Sequence, residues 1–132
     1  MMSAPNVRFR VDFNPACSLG PGKISLLQTI EDCGSLAQAA RTLGMSYRRA
    51  WLLVDNLNTM FDKRVTTSAT GGRRGGGMIL TPFGKSVISM FRQLEKDLAR
   101  QANPRLALLS KHVAIKDKEK TKLPRRAMSR RR

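Results

Sequence analysis

The chain has 132 residues, with 25 Lys or Arg against 9 Asp or Glu, a formal net charge of +16, and only 5% aromatic residues. That length suits one domain, and two cysteines, Cys17 and Cys33, are too few for a secreted disulfide framework, which points to the reducing cytoplasm. The N-terminal stretch MMSAPNVRFRVDF lacks the apolar block of a signal peptide, and no apolar run reaches the roughly 20 residues of a membrane span, so no membrane partner is expected. So positive a charge favours polyanionic partners, because each Lys or Arg near a phosphate releases condensed counterions.

Val7 to Phe13 alternates, with Val7, Phe9, Val11 and Phe13 on one face and Arg8, Arg10 and Asp12 on the other, which predicts a half-buried strand. Asn14 to Gly22, with Pro15, Gly20, Pro21 and Gly22, reads as a connector. Lys23 to Cys33 follows with Ile24, Leu27 and Ile30 at helical spacing, stopped by Gly34. Ser35 and Gln38 have the spacing of a capping box for a short second helix, whose inward face is Leu36, Ala39, Ala40 and Leu43 and whose end is Gly44. Ser46 is the N-cap candidate for a third helix to about Phe61, with Ala50, Val54, Leu57 and Phe61 facing inward. Arg48, Leu52, Asp55 and Thr59 fall on its opposite face, with Tyr47 and Trp51 at the border.

Val65 to Thr70 is rich in β-branched residues and predicts a strand, Gly71 to Gly77 a loop, and Met78 to Leu80 a short return strand. Thr81-Pro82 opens a long helix to about Gln101, with Pro at N1 and Pro104 as its stop. Phe83, Val87, Met90, Leu94 and Leu98 form one apolar stripe, widened by Ile88 and Phe91 beyond the need of a single core contact. The expected fold is mostly α with a small β-wing and a long C-terminal helix. The organisation is a domain over residues 1–103 and a basic, disordered tail over residues 104–132. Residues 1–110 hold 15 basic and 7 acidic side chains, a net of +8, and residues 111–132 hold 10 and 2, also +8. The tail serves either solubility or phosphate binding; composition does not separate them.

The run SLAQAARTLGMSYRRAW carries the helix-turn-helix pattern: a small residue for close helix approach, Gly44 for the turn, and Ser46 as cap. Such a unit inserts the first turn of its second helix in the major groove. Arg48 and Arg49 are placed there to donate to guanine O6 and N7 or to phosphates, the plainer alternative being solvated surface charge. Tyr47 is placed to reach a phosphate, Trp51 reads as a packing anchor, and Asp55 either accepts from cytosine N4 or pairs with Arg48. The loop's five glycines and Arg73-Arg74 fit a wing tip against the phosphate backbone or the minor groove, or else a plain solvent loop. Gly84-Lys85-Ser86 is not a phosphate loop, because Ile79 stands where the first glycine should be. His112 is the single histidine, and neither cysteine has a histidine beside it in the sequence, so neither a metal site nor an enzyme is expected, and no cofactor.

Together, GKISLLQTIEDCGSLAQAARTLGMSYRRAWLLVDNLN and ATGGRRGGGMILTPFG resemble the N-terminal DNA-binding domain of the ModE-type molybdate-responsive transcriptional regulators, a LysR-like winged helix-turn-helix. The resemblance covers about Val7 to Leu98. It implies a bacterial homodimeric regulator on a palindromic operator of double-stranded DNA, with dimer contacts from the long helix: Val87, Met90, Phe91, Leu94 and Leu98. By position it implies DNA-contacting roles for Ser46, Tyr47 and Arg48, and for Thr70, Gly71, Gly72 and Arg73. Arg49, Leu52 and Arg74 complete the expected DNA-binding set. Arg74 stands where the family usually has glycine. The family's molybdate-binding domains would follow the long helix, where only about thirty residues, basic in overall character, remain, so direct oxyanion sensing by these residues is not expected. Two rivals are a nucleoid-type or RNA-binding protein that recognises backbone alone, and a DNA-binding subunit that partners a separate sensor.

Overall fold

A computed structural model describes residues 5–69 and 77–115. The elements run β1 (Val11–Asn14), β2 (Cys17–Leu19), α1 (Pro21–Cys33), α2 (Leu36–Leu43), α3 (Tyr47–Met60), β3 (Thr66–Ser68), β4 (Met78–Leu80) and α4 (Pro82–Ser110). The two antiparallel hairpins, β1–β2 and β3–β4, flank the three-helix core in sequence. The architecture is a winged helix-turn-helix with a long C-terminal helix. No helix among the described residues is long and apolar enough to cross a membrane.

The helix boundaries follow local chemistry. Gly34 and Gly44 adopt φ of 75° and 70° and end α1 and α2, a left-handed turn that costs glycine nothing. Ser35 Oγ accepts from the Gln38 N–H at 3.0 Å, and Ser46 Oγ accepts from the Arg49 N–H at 3.0 Å, each satisfying one orphan donor of a first turn. Ile24, Leu26, Leu27 and Ile30 of α1, Leu36, Ala39 and Ala40 of α2, and Ala50, Val54 and Leu57 of α3 are buried in one core with Val65, Leu80, Val87, Ile88 and Phe91. Leu43, expected inside, is exposed where the last turn of α2 leaves that core.

The N-terminal hairpin differs from expectation. The connector holds a strand, β2, paired with β1 in the register Val11↔Leu19 and Asp12↔Ser18. A register shift between Asp12 and Asn14 breaks the alternation. Phe13 is therefore exposed and meets Phe61 edge-on at 6.4 Å, whereas Phe9 stacks on Phe91 at 4.6 Å. Lys23 fastens this hairpin to the helices: its ammonium donates to the Ser18 carbonyl at 2.7 Å and to Asn56 Oδ1 at 2.5 Å. Burial pushes the Lys23 pKa below the ordinary lysine value, against the opposing field of Cys17 and with a further downward push from Arg10.

The segment after α3 is held from both sides. The Val65 and Thr66 N–H groups donate to Asn58 Oδ1 at 2.7 and 3.2 Å, and Asn58 Nδ2 donates to Thr66 Oγ1 at 3.1 Å. From the other side, Thr81 Oγ1 donates to the Arg64 carbonyl at 2.7 Å and accepts from the Gly84 N–H at 2.9 Å. The Thr81 N–H donates to the Val65 carbonyl at 3.0 Å. Gly84 packs so closely that a Cβ there would collide with the Val65 carbonyl oxygen and lie 3.0 Å from its carbon.

The compact unit Val7–Leu98 contains the hairpins, α1–α3 and the first part of α4. The residues from Ala99 onward belong to a second unit. There α4 does not stop at Gln101: Pro104 lies inside it and the helix reaches Ser110. A proline removes one ladder donor and kinks the axis, but the following Arg105, Leu106, Ala107, Leu108 and Leu109 are strong helix formers. Residues 116–132, most of the basic tail, lie outside the described residues.

Gly84→Ala is expected to lower the unfolding free energy by about 2–3 kcal/mol in urea titration, because the backbone of Val65 must move. Gly22→Ala, whose Cβ meets nothing within 4 Å, is expected to raise it by about 0.5 kcal/mol. Asn58→Ala leaves two backbone donors beside buried Thr66 without their acceptor and is expected to cost about 2–3 kcal/mol in the same assay.

Candidate nucleic-acid interface

The turn between α2 and α3 is tight. The Gly44 N–H donates to the Arg41 carbonyl at 3.1 Å and the Met45 N–H to the Ala40 carbonyl at 3.0 Å, and Met45 packs against the core. This fixes where α3 begins. Its first turn points outward: Ser46, Tyr47, Arg48 and Arg49 are all exposed, while Ala50 is fully buried. Arg48, Leu52, Asp55 and Thr59 share the outer face, as the 3.6-residue period requires, and all four are exposed.

Neither Arg48, Arg49 nor Asp55 makes an ion pair or side-chain hydrogen bond among the described residues; the alternative pairing of Arg48 with Asp55 does not form. Two adjacent guanidinium groups thus stand unpaired at the N-terminus of a capped helix, where the exposed backbone N–H groups and the helix dipole also favour an anion. Trp51 differs from its expected role as a packing anchor. It is 48% exposed, beside Tyr47 at 56% and Leu52 at 47%, because the core side of α3 is already filled by Ala50, Val54 and Leu57. The periodicity placed Trp51 at the border of the two faces, and only the packing assigned it outward.

The base of the wing is a regular antiparallel pair, Thr66↔Leu80, Thr67↔Ile79 and Ser68↔Met78, extended by the Ala69 N–H to the Gly77 carbonyl at 3.1 Å. A bridge between Ser35 and Gly77 and a bond from the Met78 N–H to the Gly34 carbonyl at 2.9 Å join the wing base to the α1–α2 turn. The sequence gives no local signal for this contact, since it spans more than forty residues. Asn58 is likewise a positioning residue that pattern reasoning missed; it links α3 directly to β3. The wing-tip residues Thr70, Gly71, Gly72, Arg73 and Arg74 lie outside the described residues.

The expected dimer stripe divides in two. Val87 and Phe91, 5% and 3% exposed, belong to the protomer's own core, with Phe91 stacked on Phe9. They are therefore corrected out of the surface, because the N-terminal segment and Ile88 side of α4 take them inward. Met90, at 64%, and Leu94 and Leu98 remain exposed at four-residue spacing along α4.

Because Arg48 and Arg49 have no side-chain partner among the described residues, Arg48→Ala and Arg49→Ala are each expected to change the urea unfolding free energy by less than about 0.5 kcal/mol.

Residues 22–85 match the family described as bacterial regulatory helix-turn-helix protein, lysR family. The chain is 35% identical over 88 residues to the molybdenum transport protein ModE of Azotobacter vinelandii, covering 67% of this chain and 33% of that protein. It is 38% identical over 82 residues to the molybdenum-pterin-binding protein MopB of Rhodobacter capsulatus, covering 62% and 30%. It is 38% identical over 71 residues to the DNA-binding transcriptional dual regulator ModE of Escherichia coli (strain K12), covering 54% and 27%. The chain spans about a third of the length of the curated relatives it matches. Residues 22–85, with an outward, capped and arginine-bearing α3, thus form a LysR-type helix-turn-helix domain, and the chain's similarity to ModE proteins is consistent with an N-terminal DNA-binding domain of the ModE type.

Proposed function

We propose that this chain is a sequence-specific DNA-binding transcriptional regulator that acts as a homodimer on a palindromic operator, in molybdenum-related metabolism. The observation that carries the reading is the first turn of α3: capped, outward, and bearing Arg48 and Arg49 without side-chain partners among the described residues. Ser46, Tyr47, Arg48, Arg49 and Leu52 enter the major groove. Thr70, Gly71, Gly72, Arg73 and Arg74 follow the backbone from the wing. Relatives named as ModE regulators of transcription support the regulatory role, and those named for molybdenum transport and molybdenum-pterin binding support the metabolic setting. Such a regulator works in the cytoplasm, where its DNA lies.

Met90, Leu94 and Leu98 form the surface on which a second copy docks. Two such helices, packed ridge into groove, bury their leucines against each other, and a two-fold axis then places two α3 helices for two half-sites about one helical turn, roughly 34 Å, apart.

Selection of bound sequences from a random duplex pool at about 150 mM salt tests the reading. A two-fold symmetric consensus is expected; an absence of any preferred sequence points instead to a protein that recognises only backbone. Arg48→Ala is expected to weaken binding unevenly across sequences. Arg73→Ala should weaken it evenly and reduce the slope of log K against log salt by about one. Equal loss for every sequence in Arg48→Ala would refute base reading by that residue. Leu94→Glu is expected to convert a dimer to a monomer at micromolar concentration in sedimentation velocity, with the fold retained by circular dichroism.

A further inference from the structure

The outer face of α3 presents three different chemistries in one row. Arg48 offers donors, Leu52 an apolar branch and Asp55 an acceptor, spaced over two turns, and all are exposed. A single exposed leucine is ordinary on a protein surface. Leu52 is not single: Trp51 and Tyr47 stand beside it, both exposed. Its neighbours Arg48, Arg49 and Asp55 are unpaired among the described residues.

An apolar protein partner covering Leu52 would have to bury these charges too, at heavy desolvation cost. The DNA major groove meets both demands. It admits an α-helix, its phosphate walls attract the arginines, and the apolar group it exposes is the C5 methyl of thymine. With the chain at +16, charge complementarity selects the duplex over a second protein surface.

We propose that Leu52 is a specificity-determining residue that packs on a thymine 5-methyl group in the major groove, with Trp51 shielding that contact from water. This rests on the DNA-binding reading above and adds a base identity to it: each half-site carries a thymine within one helical turn of α3 from the base that Arg48 reads.

Replacing thymine by deoxyuridine deletes only the methyl group. The full chain is titrated with the selected consensus duplex, each thymine of one half-site being replaced in turn, and affinity is read by anisotropy of a labelled duplex. One position is expected to weaken binding about fourfold, the factor for losing one buried methyl-sized group. The same replacement should have no effect on Leu52→Ala. The wild-type series stands on its own if that variant folds poorly. Trp51 is the one tryptophan in the chain, so its emission reports directly on this face and is expected to change when the consensus duplex binds. A consensus at which no deoxyuridine weakens the wild type, a loss that persists undiminished in Leu52→Ala, or Trp51 emission unmoved by saturating duplex overturns the role of Leu52 while leaving DNA binding intact. Failure of the pool to yield any consensus overturns the DNA reading itself, and this inference with it.

Discussion

Three backbone residues, Arg64 to Thr66, hold the wing, α3 and α4 together. Asn58 grips this segment from α3 through Val65 and Thr66, and Thr81 grips it from the start of α4 through Arg64 and Val65. Gly84 then lies directly against the Val65 carbonyl, a space that no larger residue can share. Each hydrogen bond contributes about 1 kcal/mol, yet their value is chiefly geometric. They convert three elements with separate local propensities into one body, so that the position of β3 and β4 is fixed relative to the exposed turn of α3.

The second join lies across the molecule's sequence. Met78, just past the wing tip in the chain, donates its N–H to the Gly34 carbonyl, and Gly77 lies bridge-paired opposite Ser35, at the α1–α2 turn. The Met78 N–H, which a short hairpin would leave at its edge, is satisfied there. The wing base is thereby tied to both ends of the helix-turn-helix, through Asn58 at one end of α3 and through Ser35 at the entrance to α2. A reader of DNA needs this stiffness, because groove contacts and backbone contacts have to be met at once.

The helices α3 and α4 also divide the surface between them. Both give one face to the shared core, α3 through Ala50, Val54 and Leu57 and α4 through Val87, Ile88 and Phe91. Their outer faces have opposite character. That of α3 carries exposed arginines with Tyr47, Trp51 and Leu52 among them, and that of α4 carries Met90, Leu94 and Leu98. Charge on the first face suits a polyanion and apolar area on the second suits another protein surface, so the two proposed contacts do not compete for the same residues.

The sequence by itself determined the helix ends at Gly34 and Gly44, the serine caps at 35 and 46, the start at Pro82, and the outward placement of Arg48, Leu52, Asp55 and Thr59. These depend on local backbone conformation or on the period of a single helix, which neighbouring residues alone dictate. It also carried the helix-turn-helix resemblance, which rests on such local spacings. Only the tertiary structure decided that Trp51 faces solvent, that Val87 and Phe91 face the core while Met90 does not, that Phe13 is turned outward by a shift in strand register, and that Asn58 and Lys23 fasten distant elements together. A residue at the border of an amphipathic face has two acceptable environments, and a polar residue has many possible partners. The choice falls to whatever packs against it from elsewhere in the chain, and that depends on contacts too far apart in sequence for any local pattern to encode.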